Sequence, residues 1–304
     1  MKILVTPRSL TRTDHAALNL LREQGWELVF SASGQMPDEA NLLRLVRGCD
    51  GWLAGVEPIT AAVLAGADRL RVISRNGSGV DNVELAEADR RGIKVVQAAG
   101  ANAQGVAELT LGLTLASLRQ IHVADRTLKS GAWDRTIRNE IAGCFVLVIG
   151  FGHVGRLVAR LFEAFGAEVA VVEPLPIRTD NFRKVDLDEH LTSARIVTLH
   201  CPPQGGDRPL LTRARVDLCS SKTLIINTAR RSLVDEIAVI EALERDRLGG
   251  FACDVFESAD PASRRLIRHS RVIATPHLGA FTRQSVDRAA FEAARNLIRE
   301  LNAH

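Results

Sequence analysis

Apolar and polar residues alternate along this chain in two rhythms. Short β-type runs at residues 2–6, 26–30, 51–54, 71–74 and 94–97 read as strands. Between them, apolar residues recur at helical spacing over 14–24, 39–47, 61–67 and 83–90. Strand–helix alternation of this kind builds a parallel sheet with helices on both faces, and ligands bind at the carboxyl ends of its strands. The segment Arg75-Asn76-Gly77-Ser78-Gly79-Val80-Asp81-Asn82 follows a strand at such an end and reads equally as a surface turn or as a ligand loop.

The most informative stretch is FVLVIGFGHVGRLVARLFEAFGAEVAVVE, residues 145–173. Its first five residues form a buried strand, which breaks into Gly150-Phe151-Gly152-His153-Val154-Gly155. Apolar residues then recur at helical spacing (Val154, Leu157, Val158, Leu161, Phe162, Phe165) before Gly166 and a second strand, 168–172. Gly150 permits the tight turn, Gly152 lets the backbone approach a pyrophosphate, and Gly155 lets helix and strand pack closely. The helix N-terminus presents free N–H groups and a partial positive charge to phosphate. Glu173, 18 residues past Gly155, sits where a ribose-binding acid is expected. A dinucleotide site is the reading.

Upstream, residues 102–129 form a long helical stretch that is apolar on more than one side (Val106, Leu109, Leu111, Leu113, Leu115, Leu118, Ile121), with Gly105 and Gly112 inside it. Such coverage needs more than one packing partner, which suggests a domain junction or a subunit interface. His122, within it, reads as structural. Downstream, strands at 195–200, 223–227, 250–253 and 272–274 end in Cys201-Pro202-Pro203, Thr228-Ala229-Arg230, Asp254 and Thr275-Pro276-His277. Four successive strands thus deliver polar residues to one edge, where a nicotinamide and a substrate would lie. On local pattern alone His277 is either a catalytic imidazole held at a rigid strand end or a packed turn histidine. Arg230 is either a carboxylate fork or a surface cation. Asp254 is a functional acid, a helix cap or a hydrogen-bonded loop acid. A last amphipathic helix, 282–301, is expected to return to the first domain, and 204–209 and 257–265 read as irregular.

At 304 residues the chain is expected to hold two domains. Its 39 basic and 36 acidic residues are interspersed, so no nucleic-acid partner is implied. No apolar run is long enough to span a membrane and MKILVTPRS does not read as a signal peptide, so a cytoplasmic protein is expected. Five widely spaced cysteines without a CxxC suit reduced thiols, and no metal site is expected.

Taken together, SRNGSGVDNV, NAQGVAELTLG, GFGHVGR, TLHCPP, INTARRSLVDE, ACDVFE and TPHLGAFT resemble the D-isomer-specific 2-hydroxyacid dehydrogenases, and among them the phosphoglycerate dehydrogenase-like members. The resemblance runs over nearly the whole chain. It implies an α/β protein of two doubly wound parallel-sheet domains: a flavodoxin-like substrate domain (1–99 with 282–304) and a Rossmann NAD domain (100–281). It also implies a homodimer built largely on residues 102–129, and hydride transfer between NAD and a small 2-hydroxy or 2-keto acid. In that pattern Arg230 binds the substrate carboxylate, His277 donates the proton, and Ser78 and Gly79 supply backbone contacts. His153, Val154, Glu173, Cys201, Thr228, Ala229, Asp254 and Gly279 match cofactor-contact positions.

Three departures stand out. The family usually carries a glutamate five residues after the aspartate of DVFE, where this chain has Ala259; a one-residue slip makes Asp260 the expected partner of His277, with Glu257 and Asp254 as rivals. The glycine that usually follows the arginine is Arg231. Leu53-Ala54-Gly55 replaces a segment where phosphoglycerate dehydrogenases often carry arginine. An NAD-dependent D-2-hydroxyacid dehydrogenase is therefore the leading expectation, with a non-catalytic NAD(H)-binding sensor and a phosphoglycerate-type dehydrogenase as alternatives.

Overall fold

The computed structural model describes residues 1–179, 181–203, 208–257 and 259–303. The chain divides into two compact units, Met1–Asn102 with Thr282–His304, and Ala103–Phe281. The first division falls after Asn102, three residues beyond the boundary expected at residue 99.

In the first unit, β1 (Lys2–Val5), β2 (Glu27–Phe30), β3 (Gly51–Ala54), β4 (Val72–Arg75) and β5 (Lys94–Gln97) pair in parallel in the order β2-β1-β3-β4-β5. This is the flavodoxin-like order. The central strand β3 is buried throughout, which is why it reads as a continuous apolar run. One face packs Leu4, Trp52 and Ile73 against Leu42, Val63 and Leu64. The other receives the helix Arg283–Asn302 through Ala290, Ala293, Ala294 and Leu297. Small residues bring that helix close enough for the Ser74 hydroxyl to donate to the Ala293 carbonyl at 2.7 Å. Thr282 caps its start by accepting from the Ser285 N–H.

In the second unit seven strands are parallel: β6 (Phe145–Ile149), β7 (Glu168–Val172), β8 (Arg183–Lys184), β9 (Ile196–Leu199), β10 (Leu224–Asn227), β11 (Gly250–Cys253) and β12 (Val272–Ala274). Their order is β12-β11-β10-β9-β6-β7-β8. Strand order reverses between β6 and β9, and the crevice at such a switch point is where doubly wound sheets bind ligands. Gly150, with φ +92°, turns the chain there, and a Cβ on it would lie 2.7 Å from the His200 carbonyl carbon and the Cys201 nitrogen. Gly155 is tighter still, since a Cβ there would stand 2.0 Å from the Gly150 carbonyl oxygen. Both positions therefore require glycine for space, and Gly150 for conformation as well.

Several local expectations change. The 102–129 stretch is two helices, Ala103–Arg119 and Ile121–Lys129, broken at Gln120, whose φ of +49° cannot continue a right-handed helix. The first helix buries its apolar sides within the second unit, against Val148, Phe151, Val158 and Phe162. The 14–24 stretch is shorter, Ala17–Arg22, and a separate turn, Arg8–Arg12, precedes it. Residues 257–265 are not irregular throughout, because Asp260 opens a helix, Pro261–Arg268. Of the loop 204–209, residues 204–207 lie outside the described residues. Strand β8 has no apolar signature and exists through pairing with Ala170 and Val171 alone. No helix among the described residues is long and apolar enough to cross a membrane.

Replacing Gly155 by alanine sets a methyl group against a backbone oxygen that cannot swing away. The expected cost is roughly 3 kcal/mol or more, the upper end for overpacking. At about 2–4 °C per kcal/mol, calorimetry should show Tm lowered by roughly 6–12 °C. An unchanged Tm would contradict the close approach.

Candidate active site

The nucleotide end of the site is built from the turn after β6. Above Gly152 there is open space, with no heavy atom within 4 Å of where a Cβ would stand. The N–H groups of Gly152, His153 and Val154 have no acceptor among the described residues, as expected for the first turn of the helix His153–Ala164. Free donors at a positive helix end, beside open space, fit a pyrophosphate. Glu173 ends β7, and its Oε2 accepts from the Phe151 N–H at 2.9 Å while Oε1 accepts from the Leu175 N–H at 3.1 Å. The acid thus lies on the glycine turn itself, close enough to meet a ribose bound there.

Across the switch point, β9 ends in His200 and Cys201. The His200 Nε2 shares a 2.8 Å hydrogen bond with the Thr198 hydroxyl, and its Nδ1 is buried without a partner among the described residues. Burial pushes the imidazole down to about 3, so the ring is neutral at working pH. Burial also pushes the Cys201 thiol up to about 11, which removes it as a nucleophile.

The chemical end is built from the turns after β10, β11 and β12. Asn227 is buried, accepts from the Ala229 N–H at 3.0 Å and donates to the Arg230 carbonyl at 2.8 Å. It clamps the Thr228-Ala229-Arg230 turn from inside. The Thr228 hydroxyl is paired with that of Thr110 at 2.9 Å, and Arg230 Nη1 donates to the Ala229 carbonyl. One strand further, Asp254 is 1% exposed. Its Oδ1 accepts from the Thr275 hydroxyl (2.6 Å) and the Leu278 N–H (2.7 Å), and its Oδ2 from the Gly279 N–H (2.8 Å). Those three donors bracket His277, which is exposed and has φ +58°. A non-glycine residue in the left-handed region is uncommon and strained, and the buried carboxylate is what holds it there.

In the first unit the loop after β4 is equally pre-formed. Arg75 donates to the Asn82 side chain and to the Asn76 carbonyl, and Asn82 donates to the Gly55 and Glu57 carbonyls. The Ser78 hydroxyl is turned into the loop, 2.6 Å from Asn102 Oδ1 and 3.2 Å from the Ala98 carbonyl. The Ser78 and Gly79 N–H groups donate to no backbone acceptor among the described residues. They are available to an anion.

The sequence profile of the D-isomer specific 2-hydroxyacid dehydrogenase NAD-binding domain matches residues 111–279. The chain belongs to that family. It is 32% identical over 288 residues to D-3-phosphoglycerate dehydrogenase of Sus scrofa, covering 92% of this chain and 54% of that protein. It is 34% identical over 249 residues to hydroxypyruvate reductase of Thermotoga maritima, covering 80% of this chain and 81% of the relative. Among solved structures, the TT0316 protein of Thermus thermophilus superposes with a TM-score of 0.89 at 32% identity, covering 100% and 98% of the two chains. The chain spans about half the length of the phosphoglycerate dehydrogenases it matches. The matched residues lie within its second unit.

Against that family pattern, one expected pairing is not formed. Asp260 is not the partner of His277: its Oδ1 accepts from the Ala262 (2.8 Å) and Ser263 (3.1 Å) N–H groups as a helix cap and lies 3.0 Å from Arg231 Nη2. The cap and the neighbouring guanidinium hold its carboxyl below the usual range. The rival, Glu257, is also paired with Arg231, at 3.1 Å. Asp254 is a hydrogen-bonded loop acid, one of the readings that its position in the sequence allows. Asn227 and Thr110 lie inside INTARRSLVDE and NAQGVAELTLG, but their clamping and pairing carry no signal there. Their partners are backbone groups or a residue more than a hundred positions away, which no spacing rule signals.

Two measurements follow. His200 stays neutral in the folded state to about pH 3, whereas the unfolded ring protonates near 6.5. Its folded pKa is depressed, so the unfolded state gains protons first, and stability is lost as pH falls below about 6.5. The loss should reach about 2 kcal/mol at pH 5. His200→Asn should flatten the drop in Tm between pH 7 and 5, and an equally steep drop would count against burial as the cause. In Asp254→Asn one acceptor becomes a donor facing an N–H, so the His277 turn relaxes. Turnover should fall about 100-fold, as for a 1 Å misplacement, with NADH affinity little changed; weakened NADH binding with turnover kept would mean that Asp254 serves the cofactor instead.

Proposed function

We propose that this protein is an NAD-dependent D-2-hydroxyacid dehydrogenase that interconverts a small 2-hydroxy acid and its 2-keto acid. The observation that carries the reading is the convergence at one sheet edge of a dinucleotide turn after β6, Arg230 after β10 and a strained, clamped His277 after β12. A nicotinamide held beside the β6 turn would supply the hydride for C2 in reduction, and the His277 imidazole is suited to give its proton to the carbonyl oxygen. The Arg230 guanidinium is suited to hold the carboxylate in plane and to polarise the carbonyl. In the first unit the Ser78 and Gly79 N–H groups suit a carboxylate. Thr228, Ala229 and Gly279 are assigned to the cofactor side with His153, Val154 and Cys201.

Glu173 favours NAD, because a carboxylate can accept from both ribose hydroxyls and repels a 2′-phosphate. Small unphosphorylated acids are the favoured substrates. The extra cation Arg231 is tied to three carboxylates and is not available to a phosphate. A homodimer is supported by exposed apolar residues on and after the helix Ile121–Lys129, namely Ile121, Leu128, Trp133 and Ile137. Five unpaired cysteines fit a cytoplasmic protein. The rival non-catalytic NAD(H)-binding role draws on one observation, that no carboxylate pairs with His277 among the described residues.

NADH oxidation with glyoxylate, hydroxypyruvate and pyruvate separates the readings. Turnover is expected with at least one of them, with NADH preferred over NADPH. Arg230→Lys keeps the charge but loses the fork, so kcat/KM should fall well over tenfold with NADH binding largely retained. NADH binding without turnover on any 2-keto acid would favour the sensor, and near-normal efficiency in Arg230→Lys would remove Arg230 as the substrate anchor.

A further inference from the structure

In the first unit the loop after β4 is an arch whose two feet are tied together. Arg75 stands at one foot and Asn82 at the other, and the Arg75 Nε donates to Asn82 Oδ1 at 3.1 Å. The Arg75 Nη1 also donates to the Asn76 carbonyl at 2.6 Å, and the guanidinium lies against Gly77, where a Cβ would stand 2.7 Å from Nη1. The amide N–H groups of Asn82 reach the turn after β3: Nδ2 donates to the Glu57 carbonyl at 2.7 Å and to the Gly55 carbonyl at 3.2 Å. Backbone bonds continue the same seam, from the Ile59 N–H to the Asn82 carbonyl (2.7 Å) and from the Glu84 N–H to the Ile59 carbonyl (2.9 Å).

The turn that receives Asn82 is itself fixed from the core. Glu57 is buried, and its Oε1 accepts from the Gly55 N–H at 2.8 Å and from the Thr6 hydroxyl, which accepts from the Trp52 indole N–H at 2.8 Å. A Cβ on Gly55 would stand 2.6 Å from Glu57 Oε2 and 3.0 Å from the Pro7 Cα, so the turn closes on glycine. Buried polar groups paired in this way are rigid. The chemistry at Asn82 is equally specific. Two carbonyl oxygens need donors and a guanidinium needs an acceptor, and an amide supplies both. Aspartate would set a carboxylate against two carbonyl oxygens, and leucine would supply neither donor nor acceptor.

We propose that Asn82 is a positioning residue for substrate binding: by tying the arch to the turn after β3, its amide holds the Ser78 and Gly79 N–H groups in place for a carboxylate before the substrate arrives. The proposal rests on the reading above that these N–H groups suit the carboxylate of a 2-keto acid. Such pre-organisation spares binding the entropy of ordering a loose loop. The carboxylate keeps its charge before and during hydride transfer, so the arch favours ground state and transition state alike. Loss of the clamp therefore raises KM and leaves kcat.

The test takes two measurements on Asn82→Ala and Asn82→Asp in the intact chain. Hydrogen exchange of the ligand-free protein should quicken in the amides of residues 76–84 and stay unchanged in the rest of the first unit. With NADH bound, affinity for oxamate, an unreactive mimic of a 2-keto acid, should fall roughly tenfold or more, the loss of about one charge-assisted hydrogen bond. KM for a 2-keto acid should rise by the same factor, with kcat and NADH affinity little changed. Asn296→Ala removes a different bond of the first unit, from Asn296 Nδ2 to the Gln97 carbonyl at 3.0 Å, and should leave both measurements at wild type. If the Asn82 variants do not fold, Thr6→Val, which loosens the hold on Glu57, decides by the same two measurements with smaller shifts. Unchanged exchange over 76–84, or unchanged oxamate affinity, in folded Asn82→Ala overturns the proposal. So does an equal loss of oxamate affinity in Asn296→Ala, because any weakening of the unit would then suffice. If the wild type neither binds oxamate nor reduces any 2-keto acid, the dehydrogenase reading fails, and hydrogen exchange still decides whether Asn82 holds the arch.

Discussion

Parallel pairing is the constraint on which the rest of this molecule depends. Strands that run the same way must be joined by crossovers, so every strand of a unit ends on the same edge. In the second unit this delivers the glycine turn, the His200-Cys201 end, the Arg230 turn, Asp254 and His277 to a single line, although the first and last are more than a hundred residues apart. Reversal of strand order between β6 and β9 then opens the crevice at that edge. The contact that makes it work locally is the approach of Gly155 to the Gly150 carbonyl, where nothing larger than hydrogen fits.

Polar groups at this edge are positioned mostly by bonds to backbone. Asp254 and Asn227 spend their side chains on N–H and carbonyl groups of the very turns that carry His277 and Arg230. A buried polar group that is fully paired is rigid, and leaving it unpaired costs about 1–3 kcal/mol, so such clamps hold a strained turn firmly. The strain at His277 is thus sustained by a buried carboxylate on the neighbouring strand end. Arg231 does the opposite for the acids around it, drawing three of them into one cluster.

Much of this was legible in the residues. Alternating short apolar runs and helical spacing were enough for two parallel α/β units, because strands buried on both faces must be apolar throughout. The glycine turn and Glu173 were legible because their spacing is set by local geometry. Strand β8 was not, since its two exposed residues carry no apolar signal, nor was the break at Gln120, where apolar spacing continues across a backbone reversal of sign.

The sequence alone determined which side chains could reach the strand-end edge, because strand ends and glycine turns are properties of short segments. It could not determine which of those side chains pair. Asp260 shows the difference: next to Pro261 it looks like a free acid one step out of register, and only the folded chain reveals it as a helix cap bonded to Arg231. Ion pairs and clamps join residues 20 to 30 positions apart at distances near 3 Å. Tertiary structure decided them, because their energy falls with distance in space and carries no trace in sequence separation.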